Sequence, residues 1–339
     1  MTIIDQRGDQ LIRRDPSMDP AYLELLSITR FGSDKLRYRR LRVAETVNRL
    51  PSSDYYTLFN AGRVIGGYAL TPVDVRHGAD TYRAIYRHSL VIDERHQGKG
   101  LGRWLVATAL EDQARDPAVA FSFGSVERGN LRSAAILERS RVQSIGTLRS
   151  ELIYRQWTNR SSVVTVDPDD DCVQAALDES EADCRYRFTR RRRAPYFAVV
   201  EGGNIVAGAS ARLNALDLRS SGVSPARVYS SLIRWLPPAR RRFDPADFRF
   251  VSLSDIAISA GSGRAFRSLV SHILSEFCAH MAGITLDPRR TTYQRLQNEG
   301  VLGRFARATR EEFCLLATPR KQSDLELPDQ VSGLSPLEL

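Results

Sequence analysis

Arg95-His96-Gln97-Gly98-Lys99-Gly100-Leu101-Gly102-Arg103 stands between a β-like run and a helical one. Ahead of it, His88-Ser89-Leu90-Val91-Ile92 reads as a buried strand; behind it, Trp104, Leu105, Ala109 and Leu110 recur at helical spacing. A strand that turns through several glycines into a helix presents successive main-chain N–H groups at the helix N-terminus. That end carries partial positive charge and favours an anion, phosphate above all. Glycine suits such a turn because a side chain would block close approach and because positive φ costs it little. The expected ligand is phosphorylated and held mainly by the backbone.

Two phosphate loops are excluded. A dinucleotide fingerprint needs a third glycine where Arg103 stands, and a P-loop needs Ser or Thr where Gly100 follows Lys99. Taken alone, the stretch fits a glycine turn that binds nothing as well as it fits a phosphate cradle. What remains, Gln97-x-x-Gly100-x-Gly102, resembles the Q/R-x-x-G-x-G/A signature of the GCN5-related N-acetyltransferases, the GNAT family. In that family the loop holds the diphosphate of acetyl-CoA.

The context extends the resemblance. A helix over Gly102 to Arg115 and a second strand over Val119 to Val126 lead to Glu127-Arg128-Gly129-Asn130-Leu131-Arg132-Ser133-Ala134-Ala135-Ile136-Leu137-Glu138-Arg139. This is similar to the N-x-x-S-x-x-x-L-E-K pattern of the GNAT branch that contains the ribosomal-protein N-terminal acetyltransferases. Asn130, Ser133, Leu137 and Glu138 match; Arg139 replaces the usual Lys, and Arg141-Val142 replaces the usual Gly-Phe.

The resemblance implies an N-acyltransferase, most simply an N-acetyltransferase, with acetyl-CoA or another acyl-CoA as co-substrate and no metal. Gln97, Gly98, Lys99, Gly100, Leu101, Gly102 and Arg103 would hold the diphosphate, and the strand Leu90, Val91 and Ile92 would receive the thioester carbonyl and pantetheine. Asn130 and Ser133 would lie beside the pantetheine and thiol. Many members use a tyrosine as general acid where Leu137 stands, which leaves Ser133 for that role or for a hydrogen bond without proton transfer. For the general base two readings stay open. Glu127 ends the second strand and faces the cleft, or caps the next helix. His88 titrates in the working range, or is structural.

Hairpin Tyr55 to Leu70 turns at Asn60-Ala61-Gly62, and Tyr56 to Gly67 resembles Phe197 to Gly208. Gly62/Gly203 and Gly67/Gly208 share an offset, since 203 − 62 and 208 − 67 are both 141. In the second half a strand over Phe250 to Ile258, a glycine turn Ser259 to Gly263 and a helix over Arg264 to Met281 repeat the order of the first. A strand at Ile284 to Leu286, a helix over Thr291 to Asn298 and strands over Leu302 to Ala308 and Glu312 to Ala317 follow. The expected fold is α/β: two tandem GNAT folds, each a mixed, mostly antiparallel sheet with a central V-shaped splay flanked by helices. Residues 1–158 form the acyl-CoA domain, 159–171 a linker, 172–318 a degenerate GNAT-like domain and 319–339 a flexible tail. The N-terminal half further predicts a strand over Gln10 to Arg14, helices over Tyr22 to Ile28 and Lys35 to Leu50, and closing strands over Gln143 to Leu148 and Glu151 to Trp157. The second glycine turn lacks the leading Gln or Arg, and no N-x-x-S motif follows its helix, so weak or absent CoA binding is expected there.

At 339 residues, 42% hydrophobic and 26% charged, the chain suffices for two cores. No apolar run reaches the ~18 residues of a membrane span, and no signal-peptide layout opens the sequence, so a cytoplasmic protein is expected. Cys172, Cys184, Cys278 and Cys314 form no C-x-x-C pair and His77, His88, His96, His272 and His280 no H-E-x-x-H motif, which argues against structural zinc and a catalytic metal. The net charge of +9 is almost all arginine. Its dense clusters, Arg190 to Arg193 and Arg240 to Arg242, read as solvated loops or as a patch for a polyanion such as an acyl carrier protein. The acceptor is expected to be a small-molecule or peptide amine, with a homodimer as a further option and nucleic acid disfavoured. The alternatives are an acyltransferase that takes its acyl group from an acyl carrier protein and a non-catalytic acyl-CoA sensor.

Overall fold

In the computed structural model, described for residues 1–32, 37–49, 52–77, 80–138, 142–155, 162–184, 186–189, 194–219, 244–303, 311–319 and 331–332, strands of both halves join one sheet. On the N-terminal side β1 (Thr2–Arg7), β2 (Gln10–Asp15), β5 (Asp54–Asn60), β6 (Arg63–His77) and β7 (Asp80–Ile92) lie antiparallel in turn, and β7 runs parallel to β8 (Val119–Glu127). On the C-terminal side β10 (Val163–Val166), β12 (Tyr196–Glu201), β13 (Asn204–Asp217) and β14 (Phe248–Ile258) repeat the antiparallel series, and β14 runs parallel to β15 (Met281–Leu286).

The two series meet through exchanged strands. Strand β16 (Glu311–Pro319), late in the sequence, is antiparallel to β8 in the N-terminal half, with Leu316 opposite Gly124. Strand β9 (Gln143–Tyr154) pairs with β16 through Gln143 to Ser150 and with β15 through Arg149 to Tyr154. The order at the centre is therefore β7-β8-β16-β9-β15-β14, nearly symmetric about the β16/β9 pair. The short strands repeat the exchange. From the N-terminal half, β4 (Arg37–Arg40), which also pairs with the short β3 (Phe31–Gly32), pairs with β13 through Arg40↔Leu216 and Arg39↔Asp217. From the C-terminal half, β11 (Tyr186–Thr189) pairs with β6 through Arg187↔Arg76 to Thr189↔Asp74.

Helices cover the faces. Helix α1 (Pro20–Ile28) starts where Asp19 accepts a hydrogen bond from the Ala21 N–H at 2.9 Å, and buries Tyr22, Leu25 and Leu26. Helix α3 (Leu101–Gln113) packs Trp104, Leu105 and Ala109 against Leu58, Leu70 and Ile85 on the opposite face. In the second half α5 (Asp171–Ser180) buries Val173 and Leu177, and α6 (Gly263–Glu276) repeats α3, with Phe266, Leu269, Val270 and Ile273 on Val251, Leu253 and Ile284. Complete burial of such aliphatic side chains stabilises by about 1.5–3 kcal/mol each.

Several expectations change. The helix over Lys35 to Leu50 is strand β4 followed by α2 (Val43–Asn48), because pairing with β13 draws Arg37–Arg40 into the sheet. The two closing strands between Gln143 and Trp157 are the single strand β9, held along its length by partners from both halves. The helix expected to reach Met281 ends at Glu276, and Met281 opens β15. Within the expected linker lies β10, paired with β12. In the segment expected as a tail, Val331–Ser332 pairs with β11. Most of the strand expected over Leu302 to Ala308 falls outside the described residues, as do both arginine clusters.

Candidate functional site

The N-terminal sheet opens at its centre. Strands β7 and β8 pair from Arg83↔Val119 to Tyr86↔Phe123 and then part. Just beyond the parting β7 carries a bulge: Ala69 opposes His88 while Gly67 opposes Val91, and Ser89 sits at φ 56°. Tyr22 holds this bulge from α1. Its ring lies where a side chain on Gly67 would go, and its hydroxyl donates to the Ser89 carbonyl oxygen at 2.7 Å. Burial raises the Tyr22 pKa well above the ordinary value, so this hydroxyl stays a donor.

Past Ile92 the chain makes a short 3₁₀ turn, Glu94–His96, then Gly98 at φ 78° and Gly100 at φ 79° lead into α3. No main-chain N–H from Gly98 to Arg103 has a protein partner among the described residues. Gly98, Lys99, Gly100 and Arg103 are exposed. Gln97 is a tie rather than a free head to the loop: its Nε2 donates to the Ile92 carbonyl at 2.8 Å, and its Oε1 accepts from Arg132 Nη1 at 2.7 Å. Gly102 lets helix α4 (Leu131–Glu138) approach, since a Cβ there would lie 3.1 Å from Ile136 Cδ1. The result is a row of donors at a helix start, at the mouth of a split sheet, walled by the apolar Leu90, Ile92, Val126 and Ile136.

The other candidates divide between two faces. Asn130 begins α4: its Oδ1 accepts from the Ser133 N–H at 3.1 Å, and its own N–H donates to the Glu127 carbonyl at 2.8 Å. Ser133 thus sits on the α3 side of the sheet, while the side chain of Leu137 lies outside the described residues. His88 lies on the α1 side, stacked on Tyr86 with ring centroids 5.6 Å apart, and Tyr86 meets Phe123 at 5.2 Å. By strand alternation Glu127 shares that face on the other arm of the split. Both His88 nitrogens are engaged, Nε2 with Thr71 Oγ1 at 2.7 Å and Nδ1 with Ser89 Oγ at 2.9 Å. Thr71 in turn meets Ser53 Oγ at 2.7 Å.

Sequence reasoning missed Ser89, Tyr22 and Arg132. Nothing marks a positive-φ serine inside a strand pattern, and Arg132 reads as one more exposed helix residue.

The C-terminal half repeats the backbone of this site. Strands β14 and β15 pair only from Val251↔Ala282 to Leu253↔Ile284, and Asp255 sits at φ 48° in a matching bulge. Gly261, at φ 79°, lies one residue before Ser262, the cap of α6, where Gly100 is itself the cap of α3. Here the donors are spent. The Glu299 carboxylate, just past helix α7 (Thr291–Asn298), accepts from the Gly261 N–H at 2.7 Å and from the Gly263 N–H. Where Ser133 lies three residues after Asn130 in the first half, Tyr293 lies three after Arg290, and its hydroxyl bonds the buried Glu151 of β9.

Residues 20–141 match the model of the Acetyltransferase (GNAT) family. Among solved structures, the chain is similar to Saccharomyces cerevisiae N-myristoyltransferase with bound myristoyl-CoA, at 8% identity and a TM-score of 0.61 over 99% of this chain and 87% of that one. A tandem GNAT protein from the clavulanic acid biosynthesis pathway is similar at 11% identity and a TM-score of 0.54, over 92% and 100%. A GCN5-related N-acetyltransferase from Kribbella flavida matches at 10% identity and a TM-score of 0.50, over 93% and 72%. No curated protein matches the sequence. At such identities the likeness is one of fold, and that fold is the tandem GNAT arrangement expected from the sequence.

Proposed function

We propose that this chain, whose residues 20–141 match the GNAT family model, is an N-acyltransferase that takes its acyl group from acyl-CoA in the N-terminal half. The observation that carries the reading is the contrast between the two glycine turns: one exposes its N–H row, the other spends its donors on Glu299. A CoA diphosphate would neutralise the open row, with Lys99 and Arg103 adding charge. The pantetheine would lie along the apolar arm Leu90–Ile92, whose main chain the split has released from β8.

In this reading an amine enters from the α1 side, attacks the thioester carbonyl, and the C–S bond breaks as the amide C–N bond forms. The amine loses a proton and the departing thiolate gains one. Glu127, on that side, is the base we favour; His88, bonded through both ring nitrogens, acts as a positioning group through Ser89. Ser133, on the other face near the arm that would hold the thiol, donates to the leaving sulfur.

A second reading, an acyl-CoA sensor without turnover, draws support from those two engaged nitrogens. Calorimetric titration with CoA and acetyl-CoA, followed by thiol release over a panel of amines, separates the two. Saturable binding with amine-dependent thiol release establishes the enzyme, and binding without release establishes the sensor. Absence of CoA binding, with release from an acylated carrier protein, moves the donor to that carrier.

A further inference from the structure

Arg87 is the first β7 residue past the last β7/β8 pair, at the apex of the split. It is 5% exposed, yet its side chain crosses β8 to reach the exchanged strand. There Nη2 donates to the Leu316 carbonyl at 2.7 Å and Nη1 donates to Thr318 Oγ1 at 3.1 Å. Gly124 permits the crossing: a Cβ on it would stand 3.0 Å from the Arg87 carbonyl oxygen and 3.3 Å from the Arg87 Cβ. No carboxylate among the described residues pairs with this guanidinium, and its Nε is buried without a hydrogen-bond partner. Burial accordingly lowers its pKa from the ordinary arginine value. An uncompensated buried charge is costly.

The fold does not require that charge. In the C-terminal half the matching position is Leu253, two residues before the bulge at Asp255 as Arg87 is two before Ser89. Leu253 opposes Ala211 as Arg87 opposes Leu70, and it is 1% exposed. The same apex, beside the same kind of exchanged strand, is thus closed by an apolar side chain where Glu299 has sealed the cradle and by a guanidinium where the cradle is open.

We propose that Arg87 is the residue that sets acyl-chain length, closing the inner end of the cleft with charge so that short acyl groups fit and long apolar chains do not. The inference rests on reading the cleft as an acyl-CoA site. With the diphosphate beyond Ile92 and the pantetheine running back along β7, anything past the thioester next meets the apex. A hydrocarbon chain gains nothing against a buried guanidinium, and displacing it breaks both bonds to β16.

The test is calorimetric titration of the full chain with CoA, acetyl-CoA and octanoyl-CoA, for wild type, Arg87→Leu and Arg87→Ala. An open apolar tunnel would reward each added methylene by about fourfold in affinity, on the order of a thousandfold between acetyl and octanoyl. Wild type is expected to bind octanoyl-CoA no more than about threefold tighter than acetyl-CoA. Arg87→Ala is expected to raise that ratio about tenfold or more, with Arg87→Leu between them and CoA itself unchanged. A wild-type preference for octanoyl-CoA of about a hundredfold, or an unmoved ratio in a variant that keeps its thermal midpoint, overturns the role of Arg87. If neither variant folds, the wild-type ratio decides. Failure of CoA itself to bind wild type is a different result, which removes the reading of the cleft and this inference with it.

Discussion

The turn Gly98–Arg103 and the turn Ser259–Gly263 stand at matching places ahead of a helix and in opposite electrostatic states. Each places a glycine at φ 79° ahead of a helix, with nothing within 4 Å of where a side chain would start. The first ends in unspent donors; the second is neutralised from within by Glu299, and Arg267 Nη1 anchors the Glu299 carbonyl at 2.7 Å. A helix N-terminus favours negative charge whether a ligand or the protein supplies it. Retention of the fold is therefore no guide to retention of the site, and the informative question is where each donor goes.

The largest expected effect breaks the comparison outright. Gly100→Val forces a β-branched residue to positive φ in the open turn and should weaken CoA at least about a hundredfold. Gly261→Val, the same change in the sealed turn, should leave CoA affinity within about twofold, both measured by calorimetry. Equal losses would refute the assignment of CoA to the first half.

Next come changes that should affect both halves alike. A Cβ on Gly67 meets the Tyr22 ring, and one on Gly208 meets the Tyr196 ring. Each Gly→Ala variant should lose about 2–3 kcal/mol in denaturant unfolding. The first ring comes from helix α1 and the second from the neighbouring strand β12, so a much smaller loss at Gly208 would show that the strand-borne ring yields where the helix-borne one does not.

Asp217 tests the joint between the halves. It is 1% exposed, and Arg219 and then Arg39, from β4 of the other half, hold its carboxyl far below the usual range. Asp217→Asn should cost about 2 kcal/mol at neutral pH. Because the folded carboxyl is depressed, this contribution is complete above the unfolded value of about 4 and fades as pH falls through the folded one. The gap between wild type and variant should therefore shrink from pH ~5 toward pH ~2; a constant gap would place the cost elsewhere.

The smallest effect is chemical. Ser133→Ala should lower turnover about tenfold and leave CoA affinity within about twofold, read by thiol release beside titration.

The loop from Gln97 to Arg103, its strand and its helix were legible because glycine spacing and apolar periodicity act over neighbouring residues. The 141-residue offset was legible for the same reason, and it now superimposes the hairpin β5/β6 on β12/β13. The exchange of β9 and β16 was not, since alternation shows that a segment is a strand and says nothing of which strand lies beside it. Arg37–Arg40 misled because basic residues suit a helix surface equally well. Of the site, the donor row and the Asn130/Ser133 turn could be anticipated. The Ser89 bulge and the crossing of Arg87 could not, because each depends on a glycine far away, Gly67 and Gly124.

The placement of β16 also governs how such a chain reaches its native state. Strands β8 and β9, made early, have no neighbour between them until residues 311–319 leave the ribosome. Contacts this distant in sequence form slowly, and the waiting strand edges are templates for any other extended segment. During that interval the first half is an incomplete sheet, open to a strand from a second nascent copy as much as to its own. Synthesis rate and chaperone cover while residues 311–319 emerge should then govern the yield of folded protein more than the intrinsic stability of either half.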